Sequence, residues 1–378
     1  MPTLQSALAP IFEENFTARG DLGASVSVWR EGREIVSLAG GFQDREHKRA
    51  WKPETPVLVY SATKGPAAAC VLKCLRDAGI SLDAPVGSVW PGFSQAGKEG
   101  VTFAEVLSHQ AGVPALNDPP DVFDYAGVIR ALERQPPLWP RSDGEHGYHP
   151  RTSGYLWDEI VRRVAGMPLG KYWRQKFAEP LGLDFWIGLP EERLADVSPL
   201  YASRTPPAND AFFRAFLEPG SLTHRAFSSP YGLFSVSSMN TAAARLTPFP
   251  AFGGIGSAPA LAKFYAALAC GRDGLLEAAT RRLANGPDLV LHLDTAFSAG
   301  FLLDPLRADG GKLRCSFGPS QRAFGQVGAG GSVGFADPDR GLGFAYVMNQ
   351  MEPGVLPNAK SLLLIERMYE ALDSGNAE

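Results

Sequence analysis

The chain has 378 residues, 45% of them hydrophobic and 20% charged, with a formal net charge of −4. That length buries at least one large core, and the mild charge balance supplies no general attraction to nucleic acid or to an anionic membrane. No stretch approaches the ~20 apolar residues that a membrane-spanning helix needs, so no membrane span is expected.

Residues 1–20 read as an amphipathic helix with Leu4, Leu8, Ile11, Phe12 and Phe16 on one side. A basic start and a long apolar run are missing, so the segment does not read as a secretory signal and a cytoplasmic location is expected. Residues 24–42 predict a β-hairpin: 24–29 alternate small or polar with apolar residues, Glu31-Gly32 turns the chain, and 35–39 return. The basic stretch 45–50 contains Glu46 and follows that hairpin, which makes it a solvated loop. Residues 57–60 form a short extended apolar run. The next segment, 67–75 (AAACVLKCL), is apolar almost all round, the mark of a core helix. Asp77-Ala78-Gly79 stops it. Pro66 requires that this helix begin close to Ser61 or start with an irregular turn, because a proline deeper inside would clash with the carbonyl four residues back.

The middle third alternates helical patterns (102–108 and 155–165) with long Pro-rich loops, and 203–230 has no regular period. A helix at 261–268 follows. Short apolar runs at 297–303, 322–328, 332–336 and 343–349 predict strands, and 360–371 closes the chain as an amphipathic helix. Strands at both ends with helices between them predict an α/β (α+β) fold, with one sheet completed by the two chain ends. We expect a single unit over 1–378, with an α/β region from 1–60 and 250–378 and a mainly helical region over 61–249.

Four cysteines, Cys70, Cys74, Cys270 and Cys315, are few for this length and read as buried thiols. His146 and His149 lie three apart in a Gly- and Pro-containing loop without zinc-site spacing. Neither a metal nor an organic cofactor is expected.

Ser61-Ala62-Thr63-Lys64 is the only Ser-x-x-Lys in the chain, placed where an extended run enters the buried helix. Residues three apart share a helix face, so hydroxyl and amine can meet. The free N–H groups of a helix start favour the negative charge of an attacked acyl carbonyl, and a lysine shielded from water serves more readily as a base. On these four residues alone, a helix N-cap followed by a surface lysine fits as well. Gly330-Gly331-Ser332-Val333-Gly334 matches Gly-x-Ser-x-Gly in letters, but a strand–turn–helix elbow does not follow and no histidine comes after His292.

Four segments together resemble serine hydrolases of the class C β-lactamase and penicillin-binding-protein type, with the pattern of the esterase branch called family VIII carboxylesterases. They are VYSATKG (59–65), FAEVLSHQAGVP (103–114), GYHPRTSGYLWDEIVRRVAG (147–166) with AEPLGLD (178–184), and FGQVGAGGSVGFADP (324–338). The resemblance implies a β-lactamase-like fold, an antiparallel sheet with flanking helices and a mainly helical insertion. It implies Ser61 as nucleophile, Lys64 as its base or base-orienting partner, and Tyr148 as a proton shuttle whose pKa a cationic Lys64 would lower. Read alone, Tyr148 fits better as a buried aromatic with its hydroxyl on a loop carbonyl.

By the same resemblance the backbone N–H groups of Ser61 and Ala329 form an oxyanion hole, and Gln326-Val327-Gly328 takes the place of Lys-Thr-Gly or His-x-Gly, so that Gln326 and Gly328 face the substrate. Pro150 replaces an amide side chain and Gln326 a cation that charged β-lactam or D-Ala-D-Ala substrates need, so a small, uncharged, short-chain ester is the expected partner. β-Lactamase, amidase or D-aminopeptidase activity at the same site, and an inactive binding protein, are the alternatives. Phe123, Tyr125, Phe212, Phe213 and Phe227 are candidate pocket walls.

Overall fold

A computed structural model describes residues 3–140, 144–271 and 273–374. The Thr3 hydroxyl caps the helix Leu4–Thr17 by accepting from the Ser6 N–H at 3.2 Å. Leu4, Leu8 and Phe12 are buried along one side of that helix, with Ile11 and Phe16 half-buried beside them. The hairpin follows as β1 (Gly23–Arg30) and β2 (Arg33–Gly41). Next come β3 (Val57–Leu58), β4 (Phe185–Ile187) and β5 (Gly254–Gly256), which form a small sheet in the order β3-β5-β4.

The C-terminal strands are β6 (Ala284–Pro287), β7 (Asp294–Phe297), β8 (Leu302–Leu303), β9 (Phe324–Val327), β10 (Val333–Asp337) and β11 (Leu342–Met348). They join β1 and β2 in an eight-stranded sheet ordered β2-β1-β11-β10-β9-β8-β7-β6, antiparallel at every step. The two chain ends therefore complete one sheet, as expected.

Side-chain alternation assigns its two faces. Gly343, paired with Trp29, faces the helix Ala258–Ala269: a Cβ there would lie 2.2 Å from the Ala262 carbonyl oxygen. Gly40 pairs with Ala24, which pairs with Met348, and this opposite face meets Phe12 and Phe16 of the first helix. With helices on both faces, β10 and β11 are buried along their whole length. The last helix, Ala359–Asp373, packs on the first. No helix among the described residues is long and apolar enough to cross a membrane.

Three sequence expectations change. The run 297–303 is not one strand: β7 ends at Phe297, the chain turns through Gly300 (φ 91°), and β8 returns. Strands β4, β5 and β6 went unpredicted. Cys70 and Cys74 are buried, but Cys270 and Cys315 are exposed, at a helix end and in a loop.

Candidate active site

The segment that carries Ser61 is built by the small sheet. β3 pairs with β5, and the Val59 N–H donates to the Gly254 carbonyl at 2.9 Å, where the extended run ends. Tyr60 then turns the chain with φ +44°, a left-handed conformation that costs a bulky residue about 1–2 kcal/mol. A 3₁₀ turn, Tyr60–Thr63, leads into the helix Lys64–Asp77. This is the irregular start that Pro66 demanded. Thr63 staples it, its hydroxyl donating to the Tyr60 carbonyl and accepting from the Gly254 N–H at 2.8 Å.

Lys64 is wholly buried. Its Nζ lies 2.8 Å from the Pro150 carbonyl, 2.9 Å from the Ala251 carbonyl and 3.3 Å from Ser61 Oγ. Burial holds its pKa well below that of a free lysine. Two carbonyl acceptors hold the nitrogen in place, with Ser61 Oγ as its third neighbour, and the more a site disfavours the ammonium form, the more readily it gives up its proton.

Tyr148 comes from a loop fixed on both sides. Gly147 N–H donates to the His109 carbonyl at 3.1 Å, His149 N–H to His109 Nδ1 at 3.2 Å, and Tyr148 N–H to Asp288 Oδ1 and Oδ2 at 3.0 and 3.1 Å. The phenol ring lies 4.7 Å from Lys64 Nζ, and it lines the same pocket as Ser61. Its pKa is raised, by burial first and by the Asp288 carboxylate; the Ser61 hydroxyl pulls the other way. The expectation of a phenol acidified by cationic Lys64 is therefore reversed. Both groups sit in a dry site where desolvation disfavours the charged form of each.

β9 runs beside the nucleophile turn. A Cβ at Gly328 would lie 2.0 Å from the Val59 carbonyl oxygen, so only glycine permits this approach. The Gly328 N–H donates to the Ser332 carbonyl at 2.7 Å, and the next residue, Ala329, turns into the same pocket as Ser61. Gln326 lines that pocket too, with Nε2 donating to the Gly300 carbonyl at 3.0 Å. The pocket encloses about 450 Å³, open mouth included.

A β-lactamase family model matches residues 12–366. The chain belongs to the β-lactamase family. This β-lactamase-family chain is 32% identical over 351 residues to the esterase/β-lactamase LipL of Mycobacterium tuberculosis, a match spanning 90% of this chain and 80% of that protein. Among solved structures it resembles a penicillin-binding protein homolog from Caulobacter crescentus (36% identity, 98% of each chain, TM-score 0.85) and a family VIII carboxylesterase (31% identity, 97% of each chain, TM-score 0.86). It is a serine hydrolase on the β-lactamase fold.

Of the five aromatic residues suggested as pocket walls, only Phe227 lines the pocket of this hydrolase. Phe123 is surface-exposed, Tyr125 donates to Glu159 at 2.9 Å, and Phe212 and Phe213 pack on each other, with Phe227 against Phe212. Most of the apolar wall comes instead from the C-terminal third: Leu291, Phe297, Leu302, Val355 and Leu356. Asp288 was also missed. It lies 140 residues from the Tyr148 it holds, in a segment (NGPDLVLHLDT) without a recognisable motif. His146 and His149 are tied into the loop rather than to each other: Nδ1 of His149 bonds the Gly147 carbonyl at 2.7 Å, and Nε2 of His146 meets Thr295 Oγ1 at 2.8 Å.

Proposed function

We propose that this chain is a carboxylesterase for uncharged, short-chain esters, acting through an acyl-enzyme on Ser61. The observation that carries the reading is the environment of Lys64, a buried amine whose N–H bonds are taken by two carbonyls while Ser61 Oγ lies at 3.3 Å. Such an amine is a ready general base. Ser61 Oγ attacks the ester carbonyl as its proton passes to Lys64. The backbone N–H groups of Ser61 and Ala329 receive the developing oxyanion. The leaving alkoxide takes the Tyr148 phenolic proton, and the Lys64 ammonium returns one to Tyr148. Water then attacks the acyl-enzyme, giving its proton to the same pair, and Ser61 leaves protonated.

The substrate class follows from the wall. Among the described residues lining the pocket none carries a charged side chain, and Gln326 stands where a cation would hold a substrate carboxylate. Leu291, Phe297, Leu302 and Val355 favour a small apolar acyl group. The similarity to a protein named both esterase and β-lactamase keeps a lactam in the test. Hydrolysis of p-nitrophenyl acetate and butyrate is measured beside nitrocefin for the parent and Ser61→Ala. Ester turnover that exceeds nitrocefin turnover and vanishes in Ser61→Ala is the expected result. Equal ester turnover by both proteins ends the Ser61 proposal, and dominant nitrocefin turnover replaces the ester by a lactam.

A further inference from the structure

Three pocket residues answer to one carboxylate. Asp288, buried behind the wall, accepts from the Tyr148 N–H (3.0 and 3.1 Å), from the Val290 and Leu291 N–H groups (2.9 Å each) and from the Thr295 hydroxyl (3.0 Å). Tyr148, Leu291 and Thr295 all line the pocket. Thr295 Oγ1 in turn lies 2.8 Å from His146 Nε2, and His146 Nδ1 lies 3.0 Å from the Gly144 carbonyl. We propose that Asp288, Thr295 and His146 form a positioning triad that fixes Tyr148 against Ser61. The proposal rests on Tyr148 acting as proton carrier at Ser61.

The contacts run without a gap from the Gly144 carbonyl through both His146 ring nitrogens and the Thr295 hydroxyl to the Asp288 carboxylate, and from there to the Tyr148 N–H. Thr295 is the link: without its hydroxyl, His146 Nε2 and an Asp288 oxygen each lose a partner, and in a buried site an unmade bond of this kind is costly.

Tyr148 stands between Asp288 and Lys64. His109 and His149 lie beyond the Tyr148 ring and are held neutral by burial. His292 is engaged with Thr223, whose hydroxyl donates to the Val290 carbonyl, and Asp294, with Arg314 on its carbonyl, precedes Thr295 and so points to the other face of β7.

Thr295→Val cuts the triad at constant shape, and Thr295→Ser keeps the hydroxyl. With p-nitrophenyl butyrate, kcat of T295V is expected to fall roughly 10–100-fold with KM little changed, the size of effect that misplacing a reacting group produces. T295S should restore it. Circular dichroism checks folding at the assay temperature; should T295V not fold, His146→Gln is read by the same split of kcat from KM. Folded variants with the parent's kcat, or a T295S that does not restore it, overturn the triad. Turnover surviving in Ser61→Ala would instead remove the reading beneath it.

Discussion

A lysine is an uncommon base because in water it holds its proton to about pH 10.4. Lys64, the base of the proposed mechanism, escapes this by burial, which lowers its pKa. The sign follows directly. The neutral, competent amine persists to lower pH than in a free lysine, and activity is lost as pH falls through the folded pKa. A kcat/KM profile whose acid limb lies well below the titration range of a free lysine is expected; a continuous tenfold rise per pH unit up to pH 10 would show an ordinary lysine. Tyr148→Phe keeps the ring that packs beside Lys64 and Phe297 but deletes the hydroxyl proposed to carry the proton. We expect kcat to drop about 10²–10⁴-fold, with little change in KM, in steady-state assays. Ser61 and Lys64 were legible in the sequence because their Ser-x-x-Lys stands among three further segments that resemble one family; the spacing alone left an N-cap and a surface lysine open. Asp288 was not, since its partners are joined by the fold alone.

At the scale of elements, the site depends on how closely β9 approaches the nucleophile turn. Gly328→Ala would put a methyl 2.0 Å from the Val59 carbonyl oxygen, and backbone on both sides leaves only separation as relief. A destabilisation of about 1–3 kcal/mol is expected for such overpacking, read as a lowered Tm, together with a loss of kcat in the protein that still folds. A G328A enzyme with parental kcat would show that the register of β9 does not matter to the chemistry. The same elements explain where sequence reading stopped. The apolar run 297–303 carried its turn inside it, at Gly300, where the carbonyl is claimed by Gln326. β6, with Gly286 and Pro287, is the edge strand beyond β7 and has the composition of a loop. β4 and β5 are three residues each, too short for a period to register. The pocket wall was sought in the aromatic middle third, but most of it is aliphatic and arrives from the C-terminal third.

Across the molecule, both chain ends are locked into the sheet that carries the site. Lys360 of the last helix pairs with Asp21 at 2.9 Å and Glu352 at 3.0 Å in the interior, and Tyr346 of β11 bonds Asp21. Burial is the largest influence on Asp21 and raises its pKa, with Lys360 opposing it. Lys360→Ala would leave that carboxylate uncompensated, a loss of about 3–5 kcal/mol for a broken buried pair, while kcat per folded molecule should stay at the parental value. Because the folded pKa of Asp21 lies above its unfolded value, the deficit should shrink as pH falls and the carboxyl takes up its proton. Thermal unfolding across pH reads this; a pH-independent Tm deficit would contradict it. The sheet built from both chain ends was readable from apolar runs at the two termini, whereas this ion cluster joins residues more than 300 apart that carry no shared pattern.

The covalent intermediate is the claim on which the rest depends. Acid-quenching the enzyme during turnover of p-nitrophenyl butyrate and weighing the intact protein should reveal one added butyryl group, mapping to the peptide that contains Ser61 and missing from folded Ser61→Ala. Turnover without any adduct under conditions where deacylation limits the rate, or an adduct on another peptide, would contradict the account.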